Sequence, residues 1–292
     1  MTSLVSTPGT PGPTKLLRDW HLVIPLAVFF VVFVFLPLVM LGYVSVQESM
    51  DLKTQSLAQY RKFFLDGFNL GVLGSTLLLA AKTMLLALLI GYPLAYLYTL
   101  SPRKLQRVLI LLIVLPLLTS AVVRTFAWVV ILGRQGIVNS IFLSAGWIEA
   151  PLKLLYTPSA VTVALAQIEM PLMVLPLITA LSNIDPNLRQ ASEVLGAGRW
   201  RTFFLVTLPL SMPGLLAGCL LVFAGAASAF VTQTLVGGGQ LMFMPFYIYQ
   251  QAIQSNNYPF AATIAIALLV SVLAIVMVAN SFGRRSRGFV HA

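Results

Sequence analysis

Long apolar runs separated by short polar stretches set the rhythm of this chain, and six of them reach the roughly twenty residues that a helix needs to cross a bilayer core of about 30 Å. Their limits are Val23 to Val46, Gly71 to Leu97, Val108 to Leu132, Val161 to Leu181, Phe204 to Val231 and Ala261 to Asn280. Each run is continuous, without the alternation of short barrel strands, so a transmembrane β-barrel is excluded. The pattern predicts an all-α, polytopic membrane protein with six transmembrane helices.

One polar stretch has internal order. In DPNLRQASEVLGAGRWRTFFLVTLPLSMPG, from Asp185 to Gly214, Asp185 can cap a helix with Pro186 at its first position. Leu188, Ala191 and Leu195 then recur as one apolar face, and the helix is expected to end at Gly196. Gly196, Ala197 and Gly198 supply a turn, after which Arg199, Trp200, Arg201 and Phe203 open a second, interfacial piece. On pattern alone this knob is either a docking element for a soluble partner or an amphipathic linker.

Composition adds little to the class and much to the orientation. Of 292 residues, 59% are hydrophobic and 9% charged, with a formal net charge of +10. The basic residues sit at loop ends, where the positive-inside rule and anionic lipid account for them without nucleic acid. One side holds eleven, namely Lys15, Arg18, Arg103, Lys104, Arg107, Arg189, Arg199, Arg201, Arg284, Arg285 and Arg287. The other holds five, Lys53, Arg61, Lys62, Arg134 and Lys153, which predicts cytoplasmic termini and a cytoplasmic knob. Residues 1–20, rich in Pro, Ser and Thr and without an apolar signal core, are expected to be a flexible cytoplasmic tail. The transmembrane domain is expected over 21–285, with 286–292 as a second tail.

The outer loops Gln47 to Leu70 and Gly133 to Ala160 carry enough apolar residues for short helices on the outer interface. Prolines punctuate the spans at Pro25, Pro37, Pro93, Pro116, Pro171, Pro176, Pro209 and Pro213. Each removes a backbone hydrogen bond and bends its helix, so Pro171, Pro209 and Pro213 are hinge candidates as well as elements of packing. Three ionisable residues, Lys82, Arg124 and Glu169, share one layer in the outer half, about 12 to 17 Å deep at 1.5 Å per residue. They are substrate-pathway candidates, with snorkelling of Lys82 and Arg124, or an ion pair to Glu169, as the alternatives.

Other chemistry is not written in the chain. There is no GxxxxGK[ST] phosphate loop, and Gly237, Gly238 and Gly239 lack the lysine and setting of one, so they read as an outer turn. Cys219 lies in an apolar run, and His21 and His291 stand at opposite ends, so no metal cluster or Cys/His pair is expected.

QASEVLGAGRWRTFFLVTLPLSMPG resembles the EAA motif of inner-membrane permease subunits of binding-protein-dependent ABC importers, with Gln190, Ala191 and Ser192 at the EAA positions, Gly196 at its glycine and Leu208 and Pro209 at its LP. The likeness runs from about Trp20 to Arg285 and is strongest to the first permease of the spermidine/putrescine-type branch. GYPLAYLYTL, PLLTSAVVRTFAW, LGRQGIVN, LYTPSAV, PLMVLPL and NNYPFAAT carry it further. Two positions depart from the pattern: the motif's Glu is Gln190 and its second Ala is Ser192, with Glu193 as a nearby substitute.

The resemblance implies a MetI-like fold whose loop, about 185–203, forms a cytoplasmic coupling helix. Gln190, Ala191, Ser192, Glu193, Leu195, Gly196 and Ala197 would couple to an ATPase. It further implies a bacterial inner-membrane protein working with a second homologous permease, two ATPase subunits that bind ATP and Mg, and an extracytoplasmic binding protein, with no cofactor and no catalysis in this chain. Polyamines are the expected substrates, with aminobutyrate or opines as alternatives. An ion-coupled secondary transporter or a membrane-embedded enzyme finds little support, since one intramembrane carboxylate and no repeat or converging polar cluster are seen.

Overall fold

The computed structural model describes residues 13–48 and 54–287, with side chains over 24–48 and 54–281. All regular structure among them is helical, apart from a single antiparallel bridge between Gln47 and Gln55. Six helical segments are long and apolar enough to cross a membrane.

Three spans form the centre. Helices α3 (Gly67–Leu100), α7 (Pro158–Ser182) and α10 (Leu208–Ser228) pack on one another, and α7 is the most enclosed. Lipid offers apolar helices no hydrophobic reward for associating, so close backbone approach through small residues has to supply the contact. A β-carbon at Gly218 on α10 would lie 2.9 Å from the Met173 carbonyl of α7, and one at Gly91 on α3 would lie 3.0 Å from Met173 Cγ. At Gly214, a β-carbon would collide with Ala180 and the Pro176 carbonyl. Met173, Val174 and Leu177 are fully buried where the three helices meet.

Around this trio, α13 (Tyr258–Arg287) carries α1 (Pro13–Ser45) on its outer side. Thr263 donates to the Ser45 carbonyl at 3.2 Å. Because α1 begins at Pro13, part of the stretch expected to be a tail is the start of the first helix, and α13 likewise extends to Arg287. Residues 1–12 and 288–292 lie outside the described residues. The first outer loop contains α2 (Ala58–Leu65), whose Phe63 is fully buried with Phe260 and Ile264, so this helix is docked on the bundle and not merely anchored at an interface. The second contains α6 (Ile137–Ser144).

Two expected spans are broken. The run from Val108 to Leu132 divides into α4 (Arg103–Val114), a 3₁₀ turn over Leu115–Leu118 and α5 (Ala121–Leu132). Pro116 cannot donate within the helix, Thr119 turns extended at ψ 144°, and the Ser120 side chain caps α5 by accepting the Val122 N–H at 3.3 Å. The fifth run stops at Ser228 instead of Val231. Ala229 adopts ψ 75°, and α11 (Phe230–Gly237) follows, ending on left-handed Gly238. Gln233 donates its amide to the Ala226 carbonyl at 2.8 Å, satisfying an acceptor that the break releases.

Replacing Gly218 with alanine should destabilise the bundle by about 1–3 kcal/mol, because the added methyl meets backbone that cannot swing aside. Gly71, whose β-carbon would meet nothing within 4 Å, is the neutral control. Thermal unfolding in detergent should show a lowered midpoint for Gly218→Ala and an unchanged or slightly raised one for Gly71→Ala, since alanine is the better helix former.

Candidate coupling knob and intramembrane polar layer

The loop between α7 and α10 folds as its sequence pattern requires. Helix α8 (Pro186–Val194) starts with Pro186 in its first turn, and the Asp185 carboxylate accepts the Asn187 N–H at 2.9 Å. It stops in a paired-bond turn: the Gly196 N–H reaches the Glu193 carbonyl at 2.9 Å and the Ala197 N–H the Ser192 carbonyl at 3.0 Å. Gly196 is left-handed, with φ +81°. A β-carbon there would meet nothing within 4 Å, so lack of space is not what restricts the position to glycine. What restricts the position is the backbone conformation, which costs an L-residue about 1–2 kcal/mol.

From Gly198 the chain enters α9 (Arg199–Thr202). Ser192, one of the two departures from the motif, is buried, and its hydroxyl pairs with that of Thr202 at 2.6 Å, closing α8 onto α9. Its hydroxyl therefore serves the knob's internal geometry. Gln190, Ala191 and Glu193 are exposed, Ala197 is half-buried, and Leu195 is 87% exposed. Val194 at 87% and Trp200 at 77% are equally bare, so three large apolar side chains stand at the tip of the knob.

The root of the knob is tied to the bundle by contacts that the sequence pattern did not single out. The Arg189 guanidinium lies 5.6 Å from the centre of the Tyr96 ring on α3. Phe203 meets Tyr92 and Tyr96 edge-on, at centroid distances of 5.6 and 5.4 Å. Tyr92 in turn shares a buried hydrogen bond of 2.9 Å with Ser211 on α10. The four-residue spacing of Tyr92 and Tyr96 was the one available hint, since it places both rings on one helix face.

Between the knob and α10 the helix is irregular. Phe203–Thr207 is a π turn in which the Leu208 N–H bonds the Phe203 carbonyl, immediately before Pro209. Pro209 thus sits at the start of α10, whereas Pro171, Pro176 and Pro213 lie inside their helices. A hollow of about 400 Å³, lined by Ile184, Leu188 and Pro213 among others, separates α8 from the lower part of α10.

The three intramembrane charges are only partly brought together. Arg124 on α5 donates from Nη1 to the Ile168 carbonyl of α7 at 3.0 Å, and its buried Nε has no partner among the described residues. Half-buried Glu169 follows Ile168, two residues before Pro171. Its carboxylate lies on the bare backbone of Gly225, where an added β-carbon would sit 2.6 Å from Oε2. Among the described residues no ion pair within 4.0 Å joins Glu169 to a cation; Arg124 is used on backbone, and the alternative of an ion pair to Glu169 is not formed. Lys82 stands apart, exposed in a hollow between α3 and the start of α7. Trp128 bonding Gln167 at 3.1 Å and Thr125 bonding Thr232 at 2.9 Å complete the layer around Arg124. These neutral groups carried no signal in the sequence. Among the described residues, no cluster of His, Cys, Asp or Glu could hold a metal ion.

Comparison with known proteins agrees with this architecture. Residues 84–287 match the family described as binding-protein-dependent transport system inner membrane component. The spermidine/putrescine transport system permease protein PotB of Haemophilus influenzae is 35% identical over 71% of this chain and 72% of its own. The Escherichia coli protein of the same name is 31% identical over 85% of this chain and 92% of its own. A bacterial ABC transporter that imports the acidic polysaccharide alginate superposes with a TM-score of 0.74 at 21% identity, over 93% of this chain and 98% of that one. A bacterial alginate ABC transporter in complex with an alginate pentasaccharide-bound periplasmic protein superposes at a TM-score of 0.75 and 21% identity over 93% of this chain and 96% of that one. The chain belongs to the family of binding-protein-dependent inner-membrane transport components and is a permease subunit of an ABC importer.

Proposed function

We propose that this permease imports a polyamine of the spermidine/putrescine type, delivered by an extracytoplasmic binding protein, in an assembly with a second related permease and two ATPase subunits. The observation that carries this reading is the likeness to the two PotB proteins over most of the chain. The basic residues gathered at the α8 end favour a cytoplasmic knob and cytoplasmic termini. Catalysis and the binding of ATP and Mg belong to the ATPases, and the multi-pass chain itself supplies the path.

In this reading the tip formed by Val194, Leu195 and Trp200 enters a cleft of an ATPase, and Gln190 to Ala197 form the coupling segment. Closure of the ATPases pulls on α8. The Arg189, Tyr96 and Phe203 contacts hand the pull to α3, and Tyr92 with Ser211 hands it to α10. Pro209 and Pro213, next to the π turn and the hollow behind α8, are the hinges on α10, and Pro171 is the hinge on α7. Glu169 supplies a carboxylate beside Pro171 that can receive a cationic amine, while Arg124 stays engaged with the Ile168 carbonyl.

Reconstituted with its partners and binding protein, the complex should hydrolyse ATP faster with spermidine or putrescine than with aminobutyrate or opines. Stimulation by an amino acid derivative alone would remove the polyamine assignment and leave the importer intact.

Gly196→Leu should keep the permease assembled yet lower substrate-stimulated transport at least tenfold, through strain in the left-handed turn; normal transport would show that the knob is not the joint. Glu169→Gln should weaken the apparent affinity for a polyamine by about tenfold, the loss of one charge-assisted contact in a poorly solvated layer. An unchanged half-saturating concentration would take Glu169 out of the pathway.

A further inference from the structure

The glycine seam that joins α10 to α7 does not end where backbone meets backbone. Gly214, Gly218 and Gly225 recur four and seven residues apart on one face of α10, and they meet α7 in antiparallel order at Pro176, Met173 and Glu169. At the first two positions a β-carbon would strike backbone, so packing alone calls for glycine. Gly225 is different. The three atoms nearest to a β-carbon there all belong to the Glu169 carboxyl group, Oε2 at 2.6 Å, Cδ at 3.0 Å and Oε1 at 3.3 Å. The end of a flexible side chain can recede, so the contact of α10 with α7 does not need a glycine at this position. Inside a helix glycine is also a poorer choice than alanine.

The bare position fixes where the carboxylate rests. It lies on α10, whereas Arg124 reaches α7 from α5 and donates to the carbonyl of Ile168, the residue before Glu169. No cation among the described residues comes within 4.0 Å of the carboxylate. A methyl group at position 225 would make the carboxylate recede by about 1 Å to reach an ordinary contact of roughly 3.5 Å. Lifted off α10, it has the guanidinium beside Ile168 as an alternative partner, and an ion pair formed there would compete with any cationic amine.

We infer that Gly225 is a positioning residue for substrate selection: its bare backbone seats the Glu169 carboxylate on α10, apart from Arg124, so that the carboxylate can receive a primary ammonium group. This role rests on the reading of Glu169 as a contact of the cationic substrate. Gly225 itself touches the carboxylate and acts through it.

Spermidine-stimulated ATP hydrolysis by the reconstituted complex with its binding protein, followed over a range of spermidine concentrations together with the unfolding midpoint, tests this. Gly225→Ala should raise the half-saturating concentration about fivefold, a large part of the roughly tenfold effect of Glu169→Gln. Its maximal rate should stay near that of the wild type, and its unfolding midpoint should not fall. Combined with Glu169→Gln it should add little further loss, and combined with Glu169→Asp, whose shorter carboxylate clears the methyl, it should cost nothing beyond the Asp change alone. A wild-type half-saturating concentration in Gly225→Ala, beside a weakened Glu169→Gln, would overturn the role of Gly225 and leave Glu169 in the pathway. Equal affinity in wild type and Glu169→Gln would instead remove the cation contact itself, and the role of Gly225 with it. Additive losses in the double variants, or a lowered midpoint in Gly225→Ala, would make Gly225 one more packing glycine and contradict the inference.

Discussion

Close approach of α3, α7 and α10 at Gly91, Gly214 and Gly218 is the constraint on which the rest of the protein depends. With no hydrophobic drive to press helices together in lipid, these positions let the backbone of α10 lie against Met173 and Pro176 of α7. Everything functional is hung from that trio. The knob interrupts the chain between α7 and α10, the polar layer is built on α7 with α5 and α10 against it, and α13 packs on α10 while carrying α1.

Such a centre is stiff along its packed faces and compliant where regular hydrogen bonding is missing. The π turn before Pro209, the interior prolines of α7 and α10 and the break at Ala229 are places where a helix can change direction without unpacking the glycine contacts. In the proposed coupling, the route from the knob into the bundle is the set of aromatic and cation–π contacts among Arg189, Tyr96, Phe203 and Tyr92. The closed pairing of Ser192 with Thr202 makes α8 and α9 one unit, so a pull on either moves both.

Much of this was legible in the sequence, for identifiable reasons. Apolar run length located the spans because burying backbone in lipid requires continuous helix, and Asp185, Pro186 and Gly196 marked the ends of α8 because each has a local conformational cause. The breaks after Pro116 and at Ala229 were not legible. Apolarity continues across both, and a proline that bends a helix reads the same as one that ends it. The Ser192–Thr202 pair and the Arg189–Tyr96 contact depend on how segments meet in space, which spacing along one helix does not report. The pairing of Glu169 with Arg124, reasonable from shared depth, gave way because the Ile168 carbonyl captures the guanidinium.

In the proposed mechanism, ATP-driven motion enters the permease at the exposed tip of the knob. A photoreactive residue placed at Leu195 in the full assembled complex reads that contact directly, because the side chain is bare in the isolated chain. A cross-linked product with the ATPase subunit should form, and its yield should change when ATP binds. Cross-linking to lipid alone, or a yield indifferent to nucleotide, would contradict it.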